Sequence, residues 1–300
     1  MSAKLPYFFL YGLLLVSLST CSPPPASDMD PEFTDRELLF AAEFNTPGPI
    51  DTTLWVPEHG LVRNREYQWY QPQNAVQTED GLLRFEARRE ETVNPNYDPE
   101  SKDWRKSRPA ATWTSACFKT RGTFNFQYGT LLVRARLDTT LGAWPAIWTL
   151  GVDRRWPASG EIDVMELYRK QGVPVILANT AWLAERNSYK AKWDGYHRPL
   201  QDFLDKDPDW AEKFHLWRMD WTAESIRLYL DGELLNETLL VDGVNPDGFN
   251  PFQQPHYLLL NLAVGGDNGG EPRAGTERII YEVDWVRVYG GDMSGANNDR

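Results

Sequence analysis

Three carboxylates lie close together in the segment WPASGEIDVMEL, which covers residues 156–167. Glu161 and Asp163 are two residues apart, so in a β-strand their side chains point to the same face. Glu166 follows five residues after Glu161 and would point to the opposite face of a regular strand. Two carboxyl groups that face each other across a cleft can cleave a glycosidic bond, since one attacks the sugar and the other transfers the proton.

A β-bulge near Val164 and Met165 would restore the phase of Glu166. One extra residue there brings all three acids to one side of the strand. Glu161 and Glu166 are then spaced like residues i and i+4, about 13 Å apart between Cα atoms. Long side chains that lean toward each other over a bent strand bring the carboxyls toward the roughly 5–5.5 Å that a retaining glycosidase needs.

Three acids on one face repel one another when all are ionised, so we expect one of them to keep its proton near neutral pH. A single residue type then supplies both a nucleophile and a general acid. The alternative is an acidic outer face of an edge strand, because Ile162, Val164 and Leu167 also fit an amphipathic strand.

Tryptophans close to the acids favour the first interpretation. Trp144 and Trp148 precede the acids closely, and Trp156 lies five residues before Glu161. Indole rings stack on the C–H faces of sugars and bury a large area at low entropic cost. The chain has 13 tryptophans in 300 residues. Each one alone is a core candidate, but three beside a carboxylate cluster indicate a sugar-binding cleft.

Composition excludes several other classes of function. The net charge of −12 makes the chain a poor general binder of phosphate backbones, so we expect no nucleic-acid partner. The sequence has no HExxH pair, no glycine-rich phosphate loop and no G-x-S-x-G element. The four histidines are far apart, at His59, His197, His215 and His256.

The elements that must position the acids are predicted to be short antiparallel strands. Period-2 alternation bounded by turn residues runs through residues 82–88, 130–138, 226–231 and 281–289. Residues 256–264 are continuously apolar, which predicts a central strand buried on both faces. Many strands without intervening helices predict an all-β sandwich or barrel.

A long polar segment interrupts this pattern at residues 89–113. A loop of this length in a compact domain tends to be functional, so we expect it to border the binding cleft. The alternative is a solvated insertion.

The N-terminal segment is typical of an export signal. Lys4 precedes an apolar run over residues 6–18, and Cys21 follows it, before a proline-rich stretch. This order resembles the lipobox of bacterial lipoproteins, except for Thr20, and ordinary signal cleavage is the alternative. We therefore expect a signal peptide over 1–21, lipidation at Cys21 as the only membrane contact, and a tether over 22–37. The exported protein would be anchored to the bacterial outer membrane or cell surface, or otherwise be periplasmic or secreted.

The acid segment resembles the active-site signature of glycoside hydrolase family 16, in the E-x-D-x-x-E form of its laminarinases and galactanases. GAWPAIWTLG resembles the strand that precedes that signature, and residues 64–68 (NREYQ) resemble the early N-x-E-x-Q element. RMDW, LNLAVGG and YEVDWVRVYG match later strands in order. The resemblance covers roughly residues 40–290. We expect a catalytic domain over 38–290 and a tail over 291–300.

The resemblance implies a concanavalin A-like jelly-roll sandwich of two curved antiparallel sheets with an open cleft. It also implies retaining endo-hydrolysis, with Glu161 as nucleophile, Glu166 as acid/base and Asp163 tuning the nucleophile and its proton. We therefore expect that catalysis requires no cofactor. Many members bind a structural calcium through the acid of the last strand, here Asp284. The positions that match sugar-contacting residues are Asn64, Glu66, Trp144, Trp148 and Trp156.

Two positions depart from the laminarinase pattern. The strand after the acids often carries a histidine, whereas this chain has LANTAW over residues 177–182, so Trp182 or Asn179 is expected to line the cleft. The approach to the buried strand, Gln254-Pro255-His256, is also uncommon, and His256 is placed with Trp182 among the substrate-binding residues. Both departures concern the sugar that is recognised and leave the acid pair unchanged.

The leading substrate is β-1,3-glucan such as laminarin, or mixed-linkage β-glucan, because a neutral polymer suits an acidic protein. The alternative within the enzymes is an algal galactan of the agar, porphyran or carrageenan type. Its sulfates would be held by basic residues of the long loop, namely Lys102, Arg105, Lys106 and Arg108. A second alternative is a sugar-binding protein without catalytic activity.

Overall fold

The computed structural model describes residue 33 and residues 35–291. The expected signal peptide, Cys21, most of the expected tether and residues 292–300 lie outside this part of the chain. Within it, no helix is both long enough and apolar enough to cross a membrane.

The described residues form β-strands joined by turns and a few very short helices. In chain order, strands β1 to β20 are Leu38–Ala42, Gly48–Pro49, Val56–Pro57, Gln68–Tyr70, Ala75–Gln77, Leu83–Arg88, Thr92–Val93, Ala110–Ala111, Trp113–Ser115, Cys117–Lys119, Gly129–Leu137, Ala143–Gly151, Glu161–Lys170, Val173–Leu183, Ala191–Pro199, His215–Trp221, Ser225–Leu230, Glu233–Leu239, His256–Val264 and Arg278–Tyr289. Helices α1 to α3 are Trp104–Ser107, Gln201–Leu204 and Gly266–Gly269, and 3-10 turns cover Pro72–Asn74 and Trp210–Glu212. All five runs that the sequence predicted as strands are confirmed, as β6, β11, β17, β19 and β20.

Two large sheets pack face to face. The 11-stranded sheet follows the order β18-β17-β16-β11-β20-β6-β5-β2, with β1 beside β20, β9 beside β6 and β4 beside β9. The seven-stranded sheet follows the order β15-β14-β13-β12-β19-β10-β3, and its neighbours are all antiparallel. The expected jelly-roll sandwich of antiparallel sheets is confirmed, and the sheets do not close into a barrel.

The core lies between the two sheets because each strand turns alternate apolar side chains inward. On β11 these are Leu131, Val133, Ala135 and Leu137. All nine residues of β19 are buried, as predicted for a central strand. Its even-numbered residues from Leu258 to Val264 join the core, whereas Tyr257 and Leu259 pack on the opposite face of the sheet. That opposite face carries the site.

Two predicted substrate-binding residues lie in the core instead, so these predictions are wrong. His256 is fully buried, with its ring nitrogens 3.0 Å from Thr149 Oγ1 and 2.9 Å from the Pro251 carbonyl oxygen. Burial lowers the pKa of His256 to about 4, so the ring is neutral. Trp182 is also buried and packs edge-on against Phe252, with 6.0 Å between ring centroids.

Candidate active site

A β-bulge interrupts β13 at the predicted position. On one side, Asp163 pairs with Trp148 and Met165 pairs with Ile147, so Val164 has no partner on β12. On the other side, the register shifts between Asp163 and Glu166, where two residues of β13 face one residue of β14. The extra residue moves Glu166 to the face that Glu161 and Asp163 already occupy.

The bulge sorts the acidic and apolar side chains of β13 onto opposite faces. The core receives Ile162, Val164, Met165 and Leu167. The cleft receives Glu161, Asp163 and Glu166. Val164 and Met165 are consecutive and can both turn toward the core only because the hydrogen-bonding pattern between the strands is interrupted at this point. An apolar pair flanked by acids is therefore the local sequence pattern that specifies the bulge.

The acids lie in an open cleft of about 990 Å³. Five of the residues expected to contact sugars also line it, namely Asn64, Glu66, Trp144, Trp148 and Trp156. The indole N–H groups of two of them donate to the acids. Trp144 Nε1 lies 2.9 Å from Glu166 Oε1, and Trp156 Nε1 donates to Glu161 Oε2.

Burial dominates the protonation of Glu166 and raises its pKa to about 8. The hydrogen bond from Trp144 opposes this shift, and the negative charge of Glu161 adds to it. Asn179 Nδ2 also donates weakly, at 3.4 Å from Glu166 Oε2 and 3.5 Å from Asp163 Oδ2. Glu166 is therefore protonated at neutral pH, as a general acid must be.

Asp163 is fully enclosed between the two glutamates. Burial raises its pKa well above the usual range, and the charges of Glu161 and Glu166 raise it further. Burial also raises the pKa of Glu161, but hydrogen bonds from Asp163 and Trp156 stabilise the Glu161 carboxylate and oppose that shift. The Arg63 charge lowers the pKa of Glu161 as well, so the negative charge of the triad rests on Glu161.

The early element that carries Asn64 and Glu66 is fixed at the end of β19. Tyr67 N donates to the Val264 carbonyl oxygen at 2.8 Å, and Gln68 Oε1 accepts from Val264 N at 2.8 Å. Glu66 accepts from Gln68 Nε2 at 2.6 Å and from Asn64 Nδ2 at 3.2 Å. Burial raises the pKa of Glu66 to about 7, although Arg63 and these donors oppose the shift.

Sequence reasoning missed Arg63, which underlies this side of the cleft. Its guanidinium is paired with Glu58 and lies 5.1 Å from the centroid of the Trp148 ring. Lys119 Nζ reaches Glu58 as well, at 3.0 Å. Arg63 thus supports Trp148 from below and places a buried positive charge near Glu161, whose pKa it lowers.

Other cleft residues were missed because they are scattered along the chain. They are Tyr168 and Lys170 on β13, Trp193, Gly195 and His197 on β15, Tyr189 before β15, and Asn261 on β19. Only Asn261 had a usable signal, since it is the one amide in an otherwise apolar run. Its Oδ1 accepts from Trp148 Nε1 at 2.7 Å.

The long loop borders the cleft, as predicted, through Arg105. Two arginines of this loop already have partners, however. Arg105 Nε lies 2.8 Å from Asp103 Oδ1. Arg108 donates to the carbonyl oxygens of Arg65 and Glu66. Arg108 therefore holds the loop against the early element, and neither arginine is a free sulfate ligand.

The family comparison agrees with this geometry. The model of the family "Glycosyl hydrolases family 16" matches residues 63–287, three quarters of the chain. The chain belongs to glycosyl hydrolase family 16. The matched range includes the acid segment, the bulge and both strands that flank them.

Two of the relatives are glucanases by name. A β-glucanase from Rhodothermus marinus is 32% identical over 301 residues, which cover 93% of this chain and 93% of that protein. A glucan endo-1,3-β-glucosidase A1 from Niallia circulans is 30% identical over 282 residues, which cover 87% of this chain. The chain spans only 39% of the length of the Niallia protein.

Two solved structures share the family 16 fold. One comes from work on endo-acting O-glycanases, which prominent members of the human gut microbiota express to initiate mucin breakdown. It is 33% identical, covers 84% of this chain and 90% of that chain, and has a TM-score of 0.75. The other is a laminarinase catalytic domain from Thermotoga maritima MSB8, 29% identical, covering 86% of this chain and 99% of that chain, with a TM-score of 0.68.

The calcium site that the family resemblance implied does not fit the residues present. Asp284 Oδ2 accepts from Arg134 Nη1, so a guanidinium already neutralises the carboxylate that would bind the ion. Within residues 35–291, no group of three or more His, Cys, Asp and Glu side chains is placed to bind a metal ion, so backbone or amide oxygens would have to supply most of the ligands. Calcium prefers several oxygen ligands without a competing cation.

Proposed function

We propose that the protein is a retaining endo-hydrolase of β-glucans, acting on β-1,3-glucan or mixed-linkage β-glucan. The observation that carries the proposal is the bulge at Val164 and Met165, which turns Glu161 and Glu166 into one cleft while both apolar residues pack in the core. A retaining hydrolase needs two carboxyls on opposite sides of one scissile bond, one ionised and one protonated. The electrostatics of the cleft support that division.

In the first step, Glu161 attacks the anomeric carbon, and Glu166 donates its proton to the leaving oxygen. The glycosidic bond breaks as a covalent bond forms between the sugar and Glu161. In the second step, the Glu166 carboxylate takes a proton from water, the water oxygen attacks the same carbon, and Glu161 leaves as a carboxylate. Water is the only co-reactant, and Glu166 ends the cycle protonated.

Asp163 supports the nucleophile in this scheme. Its buried proton is shared in a hydrogen bond with Glu161, which stabilises the Glu161 carboxylate before attack and again when it leaves. Trp156 donates to the same carboxylate from the rim of the cleft. Both donors orient the Glu161 carboxylate toward the substrate before the reaction begins.

The glucan substrate is supported by the glucanase and laminarinase relatives and by charge. A net charge of −12 repels sulfated polymers at long range, and the two arginines of the long loop are already paired. Exposed and partly exposed indoles suit the flat faces of neutral sugars.

A second candidate substrate is an O-linked glycan of mucin. The solved structure associated with endo-acting O-glycanases has a higher identity and TM-score to this chain than the Thermotoga laminarinase has. The chain also lacks the histidine that laminarinases often carry after the acids and has LANTAW there instead. The same acid pair would serve either substrate.

One assay separates these substrates. The purified protein is incubated with laminarin, mixed-linkage β-glucan, agarose, carrageenan and a mucin, and new reducing ends are measured. We expect release from laminarin or mixed-linkage β-glucan. Release from mucin alone would replace the glucan by the O-glycan, and release from agarose or carrageenan would favour a galactan.

Variants test the catalytic assignment in the same assay. Glu161→Gln and Glu166→Gln should each lose at least about 1,000-fold in activity on the preferred polymer while keeping the wild-type circular dichroism spectrum. Glu185→Gln, an exposed residue outside the cleft, is the matched control and should keep full activity. A fully active Glu161→Gln variant would show that the nucleophile has been wrongly assigned.

A further inference from the structure

Strand β15 extends the cleft on the side of the acids opposite to Asn64 and Glu66. β14 separates β15 from β13, whereas the Asn64–Glu66 element is attached to β19, on the other side of β13. The cleft-lining residues of β15 are Trp193, Gly195 and His197. The acids therefore lie in the middle of the cleft.

The strand register aligns these residues with the acids. Trp193 pairs with Ala181, which pairs with Glu161, and His197 pairs with Leu177, which pairs with Glu166. Two strand spacings separate each pair across the sheet, about 10 Å. Adjacent pyranose rings of a polymer are only about half this distance apart, so β15 is placed to hold a sugar within about two residues of the one that reacts at Glu161 and Glu166.

The aromatic side chains here are far more exposed than those on the other side of the cleft. Trp193 is 50% exposed and Tyr189 is 73% exposed, whereas Trp144 and Trp148 are 5% and 8% exposed. Large exposed aromatic surface in a cleft is costly in water and marks a surface that a ligand covers. A pyranose ring offers the flat apolar face that an indole needs.

The inner face of β15 is fixed to the other sheet, so Trp193 is held by a rigid strand. Asp194 Oδ2 accepts from Thr238 Oγ1 at 2.9 Å, and Asn236 Nδ2 donates to the Asp194 carbonyl oxygen at 3.4 Å. Lys192 Nζ lies 5.1 Å from the centroid of the buried Trp182 ring. Residues on either side of Trp193 in sequence are thus anchored, and stacking on Trp193 costs little ordering of the backbone.

Gly195 and His197 complete a surface that can accommodate a sugar ring. Gly195 lies between Trp193 and His197 and has no side chain. It therefore leaves a depression in the cleft surface between these two residues, whose Cα atoms are about 13 Å apart along the strand. His197 Nδ1 lies 3.4 Å from Lys170 Nζ, and both side chains face the cleft. The His197 ring and the Lys170 amine are placed to bind sugar hydroxyls at the end of this depression that is opposite Trp193.

We propose that β15 forms a sugar-binding subsite across the scissile bond from Asn64 and Glu66. A pyranose ring stacks on Trp193, above Gly195, with hydroxyls toward His197 and Lys170. This inference rests on the proposed function, because it assumes that the acids cleave a polysaccharide. Its consequence is that the enzyme gains from long substrates through contacts that the acid motif does not provide.

The test uses oligosaccharides of increasing length, from di- to hexasaccharide, cut from the preferred polymer. For Trp193→Ala, kcat/KM should fall least on the shortest oligosaccharide that is cleaved and by about tenfold on the hexasaccharide. Trp193→Phe should recover most of the loss, since a smaller ring still stacks. Tyr97→Ala removes an exposed aromatic that lies outside the cleft and should match the wild type at every length.

An equal loss at all lengths would show that Trp193 acts through the acids or the fold, and no loss at any length would show that no sugar stacks there. Either result overturns the subsite. Failure of the proposed function is distinguished by the wild type, which would then cleave no oligosaccharide. In that case, the binding of laminarin to Glu161→Gln and to Glu161→Gln/Trp193→Ala is compared, and equal affinity would overturn the subsite.

Discussion

Gly195 lies directly across the sheet from Asn179, and its missing side chain makes room for the Asn179 amide. A Cβ atom added at Gly195 would lie 2.7 Å from Asn179 Oδ1. The same amide donates through Nδ2 to Asp163 and Glu166. The absence of a side chain on β15 therefore fixes the position of a hydrogen-bond donor between two acids on β13.

The first prediction concerns this pair. Gly195→Ala should push the Asn179 side chain away from the acids and lower kcat/KM by about tenfold, because a contact shorter than van der Waals distance forces movement. Gly290→Ala adds a Cβ whose nearest neighbours lie at 3.7 Å or more and should be neutral. If Asn179 transmits the effect, Gly195→Ala should cost much less in an Asn179→Ala background. Additive losses would contradict the mechanism.

The second prediction concerns the pH dependence of kcat/KM. Glu166 must be protonated to act as the acid, and burial raises its pKa to about 8, so kcat/KM should fall as the pH rises through about 8. Asn179→Ala and Trp144→Phe each remove a donor that stabilises ionised Glu166. Its pKa should then rise, and the basic limb should move to higher pH by about half a unit or more.

The larger shift of the basic limb is expected for Trp144→Phe, because the Trp144 indole N–H is the stronger of the two donors to Glu166. The position of the limb, rather than the absolute rate, is the measurement, so weakened substrate binding does not interfere. A basic limb that stays in place or moves to lower pH in both variants would contradict the assignment of Glu166 as the acid.

The acid strand could be predicted from sequence because its pattern is local. The spacing of Glu161, Asp163 and Glu166 conflicts with strand periodicity, and the apolar pair between Asp163 and Glu166 resolves the conflict by a bulge. The position of the bulge and the residues on each face of the strand could therefore be predicted from that strand alone. The predicted strands were correct for the same reason.

The sequence offered Trp182 and Asn179 as alternatives for lining the cleft, and the structure places Asn179 there and Trp182 in the core. Asn179 and Trp182 are three residues apart, so a regular strand cannot turn both toward the cleft. β14 continues without a bulge there, and Asn179 faces the acids while Trp182 enters the core. Strand parity alone would have chosen between the two residues once one of them was placed.

A third prediction follows from the position of Trp182. Trp182→Phe should lower the free energy of unfolding by about 1–2 kcal/mol through a core cavity and leave KM near the wild-type value. Trp156→Phe, at the exposed rim, should have the opposite profile, with normal stability and reduced kcat/KM, because it loses the donor to Glu161. Urea unfolding and steady-state kinetics on both variants measure this contrast. A raised KM for Trp182→Phe without loss of stability would restore Trp182 to the cleft.

His256 could not be placed from sequence because β19 is apolar on both faces. A continuous run gives no alternation, and a histidine at its start fits either face. Asn261 resolves the ambiguity, since an amide within such a strand is expected at the cleft, and His256, five residues earlier, has the opposite parity. The residues of β15 required more than parity, because their placement depends on how β14 and β15 pair.

The fourth prediction concerns calcium. Because Arg134 already pairs with Asp284, neither calcium nor EDTA should change the thermal midpoint of unfolding. An ion present at 100 times its Kd would stabilise the fold by about 2.7 kcal/mol, which differential scanning calorimetry detects easily. A midpoint that rises with calcium in the wild type but not in Asp284→Asn would show that the ion displaces Arg134.

The central claim is that Glu161 is the nucleophile and Glu166 the acid/base of a retaining hydrolase, and azide rescue tests it most directly. Glu161→Gly and Glu166→Gly are each incubated with azide and the dinitrophenyl β-glycoside of the preferred disaccharide, and the anomeric configuration of the product is read by proton NMR. Glu161→Gly lacks the nucleophile, so azide displaces the leaving group in a single step and should yield the α-azide. Glu166→Gly lacks the acid/base, so azide replaces water in the second step and should yield the β-azide. The opposite pair of configurations would reverse the two roles, and an α-azide from both variants would rule out a covalent intermediate on Glu161.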